Sequence, residues 1–288
     1  MAEDAEHRLW TWRLAHGRSL LLGPRGVLMG VINVTPDSFS DGGLLDDADK
    51  AVAAGKAMLA EGAAILDTGG ESTRPGGAPI DAATEQARAL PVIRRLASET
   101  DALVSVDTYR AETARMALQA GAHVVNDVWG LQREPDIARV AADLGAGLVI
   151  MHTGREREKL PDVIADQIAF FEVSLDIADR AGVPRDAIVL DPGFGFAKDA
   201  GENLALCARF AELQALGFPL LAGASRKRFL GAATGRASAS DRDIATAAST
   251  AILRMRGASL FRVHEIAGNR DALAFADAVL AAQGSSGP

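Results

Sequence analysis

Eight short apolar runs recur along the chain, at 27–34, 64–69, 103–107, 123–128, 147–152, 187–191, 219–225 and 259–264. Several are nearly continuous in Val, Ile and Leu, as expected of parallel strands covered on both faces. Between them lie Ala-, Leu-, Arg- and Glu-rich segments at 46–60, 82–99, 112–120, 136–144, 163–181, 203–216, 243–256 and 270–282. Their apolar residues return every three or four positions, Leu90, Ile93, Leu96 and Ala97 for example, which predicts helices with one buried stripe. Strand and helix thus alternate eight times at about 33 residues per repeat, the unit size of a (β/α)8 barrel. A doubly wound open sheet is the alternative for such alternation, and the count of eight favours the closed barrel.

Residues 1–26 precede the first of these strands. Stretches 12–16 and 19–22 flank Gly17 and Arg18, which predicts a hairpin placed to cap the N-terminal end of the barrel. The sequence GSSGP at 284–288 reads as a flexible tail. No linker divides 27–283, so one domain is expected there. The fold class is therefore α/β, a single (β/α)8 TIM barrel with an N-terminal hairpin extension.

Composition narrows the function. Of 288 residues, 48% are hydrophobic and 24% charged, ordinary for a soluble globular chain. No run approaches 18 apolar residues, and the acidic start MAEDAE is unlike a secretory signal. The one cysteine, Cys207, cannot form an internal disulfide and is expected to pack in a helix; a cytoplasmic location follows as the simplest expectation. A net charge of −8 argues against nucleic-acid and anionic-membrane partners, so an anionic ligand would need a local basic pocket. With 29 Gly, 3 Trp and 1 Tyr, the chain suits a compact enzyme better than an aromatic-rich docking surface.

The strand ends carry the chemistry. The runs close on Asn33, on Asp67 and Thr68, then on Asp107, Asn126, His152, Asp191, Ser225 and His264, with Arg262 two residues before the last. In a barrel these ends converge on one mouth, where active sites of this fold lie. Singly, an Asp or Asn after a strand is an ordinary turn former or helix cap. Together they form a polar ring too costly to desolvate without a polar ligand. Arg262 and His264 sit on alternate positions and so face one side. Gly/Pro-rich loops at 35–43, 69–77 and 191–198 read as mobile covers for the mouth. GFG at 193–195 lacks the third glycine of a dinucleotide fingerprint.

Several motifs then fall into a known order: MGVINVTPDSFSDGG over 29–43, GGESTRPG over 69–76, SVDT over 105–108, ND at 126–127, LDPGFGF over 190–196, GASRK over 223–227 and RVH over 262–264. Over about 27–265 the chain resembles the dihydropteroate synthases, pterin-binding TIM barrels that are the target of sulfonamides. The resemblance implies a transferase of folate biosynthesis. It would condense 6-hydroxymethyl-7,8-dihydropterin pyrophosphate with p-aminobenzoate, giving 7,8-dihydropteroate and pyrophosphate by dissociative displacement.

By that resemblance Asp191 accepts the amino group and ring N–H of the pterin side by side, as a carboxylate can. Asp107 and Asn126 read other ring atoms, and Lys227 donates to the opposite edge, while Arg226 and Arg228 stay on a helix surface. Asn33, Thr73, Arg262 and His264 hold the diphosphate, with Mg²⁺ on Asn33, since Mg²⁺ needs few protein ligands beside phosphates and water. Thr73, Arg74, Pro75, Phe196 and Ser225 form the p-aminobenzoate pocket, Ser225 opening a helix expected over 226–231. Asp41, Asp107 and Lys227 are the catalytic candidates; His152 receives no role. A homodimer through the helical shell is also implied; the apolar residues of 245–255 serve either such an interface or the barrel packing. Two rivals are a methyl-tetrahydrofolate:corrinoid methyltransferase, which has no diphosphate for Arg262 and His264 to hold, and a silent pterin-binding relative, which the intact motifs disfavour.

Overall fold

The computed structural model describes residues 8–35, 44–72 and 79–284. A hairpin, β1 (Trp10–Arg13) and β2 (Ser19–Leu22), leads into β3 (Val27–Asn33), β4 (Ile65–Gly69), β5 (Leu103–Asp107), β6 (Val124–Asp127), β7 (Gly147–Met151), β8 (Ile188–Asp191), β9 (Leu221–Ala222) and β10 (Leu260–Val263). The intervening helices are α1 (Leu44–Glu61), α2 (Ala82–Glu99), α3 (Ala111–Gln119), α4 (Asp136–Leu144), α5 (Val163–Arg180), α6 (Ala200–Arg209), α7 (Arg228–Thr234), α8 (Asp243–Met255) and α9 (Ala267–Gly284). The parallel sheet runs β8-β7-β6-β5-β4-β3-β10-β9, and a bridge between Leu190 and Leu220 closes it into a barrel. No helix among the described residues is long and apolar enough to cross a membrane.

Period-two alternation sorts the strand residues. Met29, Ile65, Leu103, Val124, Val149, Val189, Leu221 and Leu260, one from each barrel strand, form a single apolar cluster with Trp12, Leu14 and Leu22 of the hairpin. This cluster is the barrel floor, and the hairpin plugs it as expected. Trp12 is 1% exposed and its indole N–H donates to the Ala187 carbonyl at 2.8 Å. The odd-phase partners, among them Leu66, Val104, Val125, Leu148, Ile150 and Leu190, join the helices in the outer core. Two residues past the floor the inward positions become Asp67, Ser105, Asn126, Met151, Asp191 and Arg262. Apolar floor and polar mouth are thus one alternation read from its two ends.

Three boundaries differ from the sequence reading. The hairpin's first strand stops at Arg13, because His16 and Gly17 both adopt positive φ (59° and 68°) and make the turn. The stretch expected as one helix over 203–216 is α6, opened by an Asp199/Glu202 capping box, followed by a 3-10 segment Phe210–Leu216. The run at 219–225 holds only two ladder residues, and α7 begins at Arg228 rather than 226, since Arg226 sits at φ 57°.

Candidate active site

A four-residue polar cluster spans the barrel mouth. Arg262 Nε donates to Asp67 Oδ2 at 2.6 Å, and its Nη2 donates to Asp107 Oδ2 at 2.8 Å. Asn126 Nδ2 donates to the same Asp67 oxygen at 3.1 Å. Parallel register puts Asp107 beside Asn126 and Asp67 beside Ser105, so the side chains share the lumen. Each acidic or amide group keeps one buried oxygen, Asp67 Oδ1, Asp107 Oδ1 and Asn126 Oδ1, that no donor reaches among the described residues. Buried acceptors left this way are costly in a folded protein unless a ligand or water satisfies them. Burial pushes the Asp107 carboxyl up to about 7, against the pull of Arg262, with Asp67 adding to the rise.

Asp191 faces this cluster from β8. Its Oδ1 accepts the backbone N–H of Gly193 at 2.8 Å, an Asx-type turn. Gly193 has φ 65°, and a Cβ there would stand 2.0 Å from the His152 carbonyl oxygen, so the turn requires glycine. Burial raises the Asp191 carboxyl to about 6, opposed by the Gly193 bond and by Lys227. Lys227 is drawn down to about 8 by burial and by the Arg262 charge. Its ammonium lies 4.1 Å from the centre of the Phe196 ring, and the Arg155 guanidinium 4.7 Å from the same ring. Phe196 packs with Val128 and Met151 beside Trp129.

Ser225 and His264 meet directly. Ser225 Oγ accepts the His264 backbone N–H at 3.2 Å and lies 2.9 Å from His264 Nδ1. The hydroxyl thus holds the imidazole at Nδ1 and leaves Nε2 as the outer ring nitrogen. Residues assigned by sequence to two different subsites are here one contact. The helix amides expected to follow Ser225 at once are displaced, because Lys227 is the N-cap of a seven-residue α7. Arg226 is on the outer side as expected, paired with Asp243 at 2.7 Å.

Asn33 ends β3 half-buried, registered with Gly69. Asp41, Thr73, Arg74 and Pro75 lie outside the described residues. The near root of the second loop is anchored by Glu71, which accepts from Tyr109 at 3.0 Å and Arg110 at 2.7 Å. His152, expected to end a strand, follows directly on β7, is off-phase with Met151 and lies behind the wall, 0% exposed, against Phe170 and Asp166. Sequence reasoning left three neighbours of the site unassigned. Asp67 bears the Arg262 pair, and its place in the polar ring at the close of the second apolar run was the available signal. Arg155 comes from a charged loop with no recognisable pattern, and Lys198 from the end of the 191–198 loop. Among the described residues, no three His, Cys, Asp or Glu side chains converge to hold a metal ion.

Comparison with known proteins gives one consistent result. Residues 29–264 match the family described as pterin binding enzyme. The dihydropteroate synthase of Bacillus subtilis (strain 168) is 40% identical over 267 residues, covering 91% of this chain and 92% of the relative. The structure of Xanthomonas albilineans dihydropteroate synthase with 4-aminobenzoic acid superposes with a TM-score of 0.88 at 41% identity, covering 94% of this chain and 99% of that one. The same enzyme in complex with 7,8-dihydropteroate gives 0.84 at 39% identity, with 93% and 99% covered.

Proposed function

The chain belongs to the pterin-binding enzymes, among the dihydropteroate synthases, and from that premise we propose how its barrel mouth divides the work. The protein is a transferase of folate biosynthesis. It condenses 6-hydroxymethyl-7,8-dihydropterin pyrophosphate with p-aminobenzoate to give 7,8-dihydropteroate and pyrophosphate. The observation that carries our reading of the site is the set of buried acceptor oxygens on Asp67, Asp107 and Asn126, facing Asp191 and Lys227. A pterin ring is rich in N–H donors along one edge and has acceptors along the other, which suits that arrangement.

In this reading Asp191 takes the amino group and adjacent ring N–H, with Asp107 and Asn126 accepting from the ring. Lys227 donates to the acceptor edge. Arg262, His264, Asn33 and Thr73 hold the diphosphate, Arg262 through its guanidinium and His264 through a ring N–H. Thr73, Arg74, Pro75, Phe196 and Ser225 enclose p-aminobenzoate. Mg²⁺ fits as a companion of the diphosphate, because Asn33 offers one neutral oxygen and Mg²⁺ takes its other ligands from phosphate and water. When bound, it would neutralise charge on the leaving group.

Chemically, the C–O bond between the pterin methylene and diphosphate breaks, and the arylamine nitrogen forms the new C–N bond and then sheds a proton. The methylene is conjugated with the ring, so positive charge can spread as the anion departs. Buried carboxylates fixed beside that carbon stabilise the change without reorganising. Among the described residues Asp107 takes this role; the motif resemblance adds Asp41 as a second carboxylate, and Lys227 balances the ring's acceptor edge. The arylamine is neutral and nucleophilic, so no strong general base is called for.

Pyrophosphate release with and without p-aminobenzoate tests the reading, and its pH profile tests the site. Asp191 must be ionised to accept two donors, and its folded value of about 6 sets the acid limb. Lys227 must keep its proton, and its value of about 8 sets the alkaline limb. Asp107, at about 7, steepens the acid side. The expected kcat/KM therefore rises through pH ~6, peaks between ~7 and ~8 and falls above. A flat profile from pH ~5 to ~9 would remove Asp191 and Lys227 from these roles.

A homodimer through the helical shell completes the reading. Ile244, Ile252 and Met255 of α8 and Phe275 of α9 are exposed apolar side chains on helices packed together. Sedimentation of purified protein should give twice the chain mass, and a strictly monomeric species would refute this assignment. A cytoplasmic location fits the single cysteine.

A further inference from the structure

The turn that bears both Asp191 and Phe196 is fastened from behind by groups that touch neither substrate. Three consecutive carbonyls each accept from a different donor. The Asp191 carbonyl takes the His152 backbone N–H at 2.8 Å. The Pro192 carbonyl takes Gln167 Nε2 at 3.1 Å. The Gly193 carbonyl takes Lys198 Nζ at 2.9 Å. Lys198 Nζ also donates to His152 Nδ1 at 2.8 Å. The other ring nitrogen of His152, Nε2, lies 3.0 Å from Asp166 Oδ2 and 2.8 Å from Arg157 Nη2. Asp166 in turn accepts from Arg157 and from the Leu160 backbone N–H, and it sits beside Gln167 on α5.

His152, Asp166 and Gln167 are all nearly or fully buried. Placing a lysine, a histidine and a carboxylate behind the wall costs desolvation free energy that a well-packed apolar wall would avoid. The bonds they make converge on one object, the 191–196 turn. Its far end is tied too, since the Gly195 N–H donates to Asn203 Oδ1 at 2.7 Å. The Gly193 N–H meanwhile fixes the rotation of the Asp191 carboxylate. A carboxylate must be aligned to accept two donors in one plane, and a ring wall must stay put to be a wall.

We propose that Lys198, oriented by His152 and Asp166, is a positioning residue that holds the 191–196 turn and so aligns the pterin-binding carboxylate of Asp191 and the arylamine wall of Phe196 together. The inference rests on the reading of those two side chains given above. It predicts a split that a general structural role would not produce. The diphosphate side chains Asn33 and Arg262 sit on β3 and β10, and His264 directly after β10; β9 separates these strands from β8, and none of the bonds that fasten the turn involves them.

The test uses the full chain with Lys198→Met, and with Lys198→Gln as a second variant that keeps an amide donor. Calorimetry measures 6-hydroxymethylpterin and inorganic pyrophosphate, steady-state kinetics gives the KM for p-aminobenzoate, and amide exchange follows residues 193–196 without ligand. For Lys198→Met the expected result is roughly tenfold weaker pterin binding and a comparable rise in KM, as for loss of a charged hydrogen bond. Pyrophosphate affinity should stay within about twofold, and exchange in the turn should quicken. Lys198→Gln should fall between Lys198→Met and wild type, and it carries the comparison by itself if Lys198→Met does not fold. Unchanged pterin affinity and unchanged exchange in folded variants would overturn the proposal, as would an equal loss of pyrophosphate affinity. Wild-type protein that fails to bind the pterin would instead overturn the reading of Asp191, leaving the ligand-free exchange to decide the role of Lys198.

Discussion

Arg262→Ala is expected to destabilise the protein by about 3–5 kcal/mol near pH 8, the magnitude seen when one partner of a buried ion pair is removed. Its side chain is 18% exposed and its guanidinium bridges Asp67 and Asp107, which are 0% and 4% exposed as side chains. Alanine would leave two carboxylates facing one lumen with Asn126 as the remaining side-chain donor among the described residues. The loss should depend on pH with a definite sign. Burial already holds Asp107 above its usual range, to about 7, while Arg262 works against that rise. Without the cation the folded value climbs further above the unfolded one. Such a group is least harmful to folding where it is protonated in both states and most harmful where the unfolded chain would ionise it. The variant should therefore regain stability as pH falls toward ~5 and lose it as pH rises through the shifted value. Urea unfolding at the two pH values measures the difference. The same substitution should weaken inorganic pyrophosphate more than a pterin lacking phosphates. Equal destabilisation at both pH values would mean that the two carboxylates are not what Arg262 neutralises.

What the sequence made legible follows from how each feature is encoded. The barrel was readable because its strands repeat one rule, apolar and continuous, at near-constant spacing. The mouth was readable because Asp107, Asn126, Asp191 and Arg262 end strands whose floor residues share their phase. Pairing across the lumen was not readable. That Arg262 lies between Asp67 and Asp107 depends on register and closure, which a linear pattern does not carry. His152 shows the limit of reading strand ends alone, since a single residue of phase turns a mouth residue into one behind the wall. Lys198 was hidden for a related reason: its partners, Gly193 and His152, come from a turn and from a different strand. The shift of α7 from 226 to Arg228 arises from the left-handed backbone of Arg226, a choice usually marked by glycine or asparagine and here unmarked. Asp41, Thr73, Arg74 and Pro75 rest on motif resemblance, in segments outside the described residues.

Asp191→Asn is expected to lower pterin affinity by about tenfold to over a hundredfold, from the roughly 1.5–3 kcal/mol that a hydrogen bond to a charged group contributes. The carboxylate has two oxygens and about four acceptor sites. Oδ1 spends one on the Gly193 N–H, and Oδ2 lies toward Gly223, where a Cβ would come within 3.4 Å of it. Asparagine is nearly isosteric, so the turn should survive with its side-chain oxygen on Gly193. Its NH2 group then occupies the Oδ2 position and meets the ring's N–H donors with donors of its own. An acceptor is lost and donor–donor repulsion takes its place, in a buried site where water relieves neither. The pH dependence should change with the affinity. In wild type, pterin binding weakens as pH falls through about 6 because the buried carboxyl takes up a proton. Asparagine does not titrate there, so that limb of the binding profile should flatten, leaving only the shallower contribution of Asp107. Calorimetric titration of 6-hydroxymethylpterin at pH ~5 and ~7.5, for both proteins, reads the two effects separately. Unchanged affinity would assign Asp191 to the Gly193 turn alone. Weakened affinity with the step near 6 intact would assign that titration to a group other than Asp191.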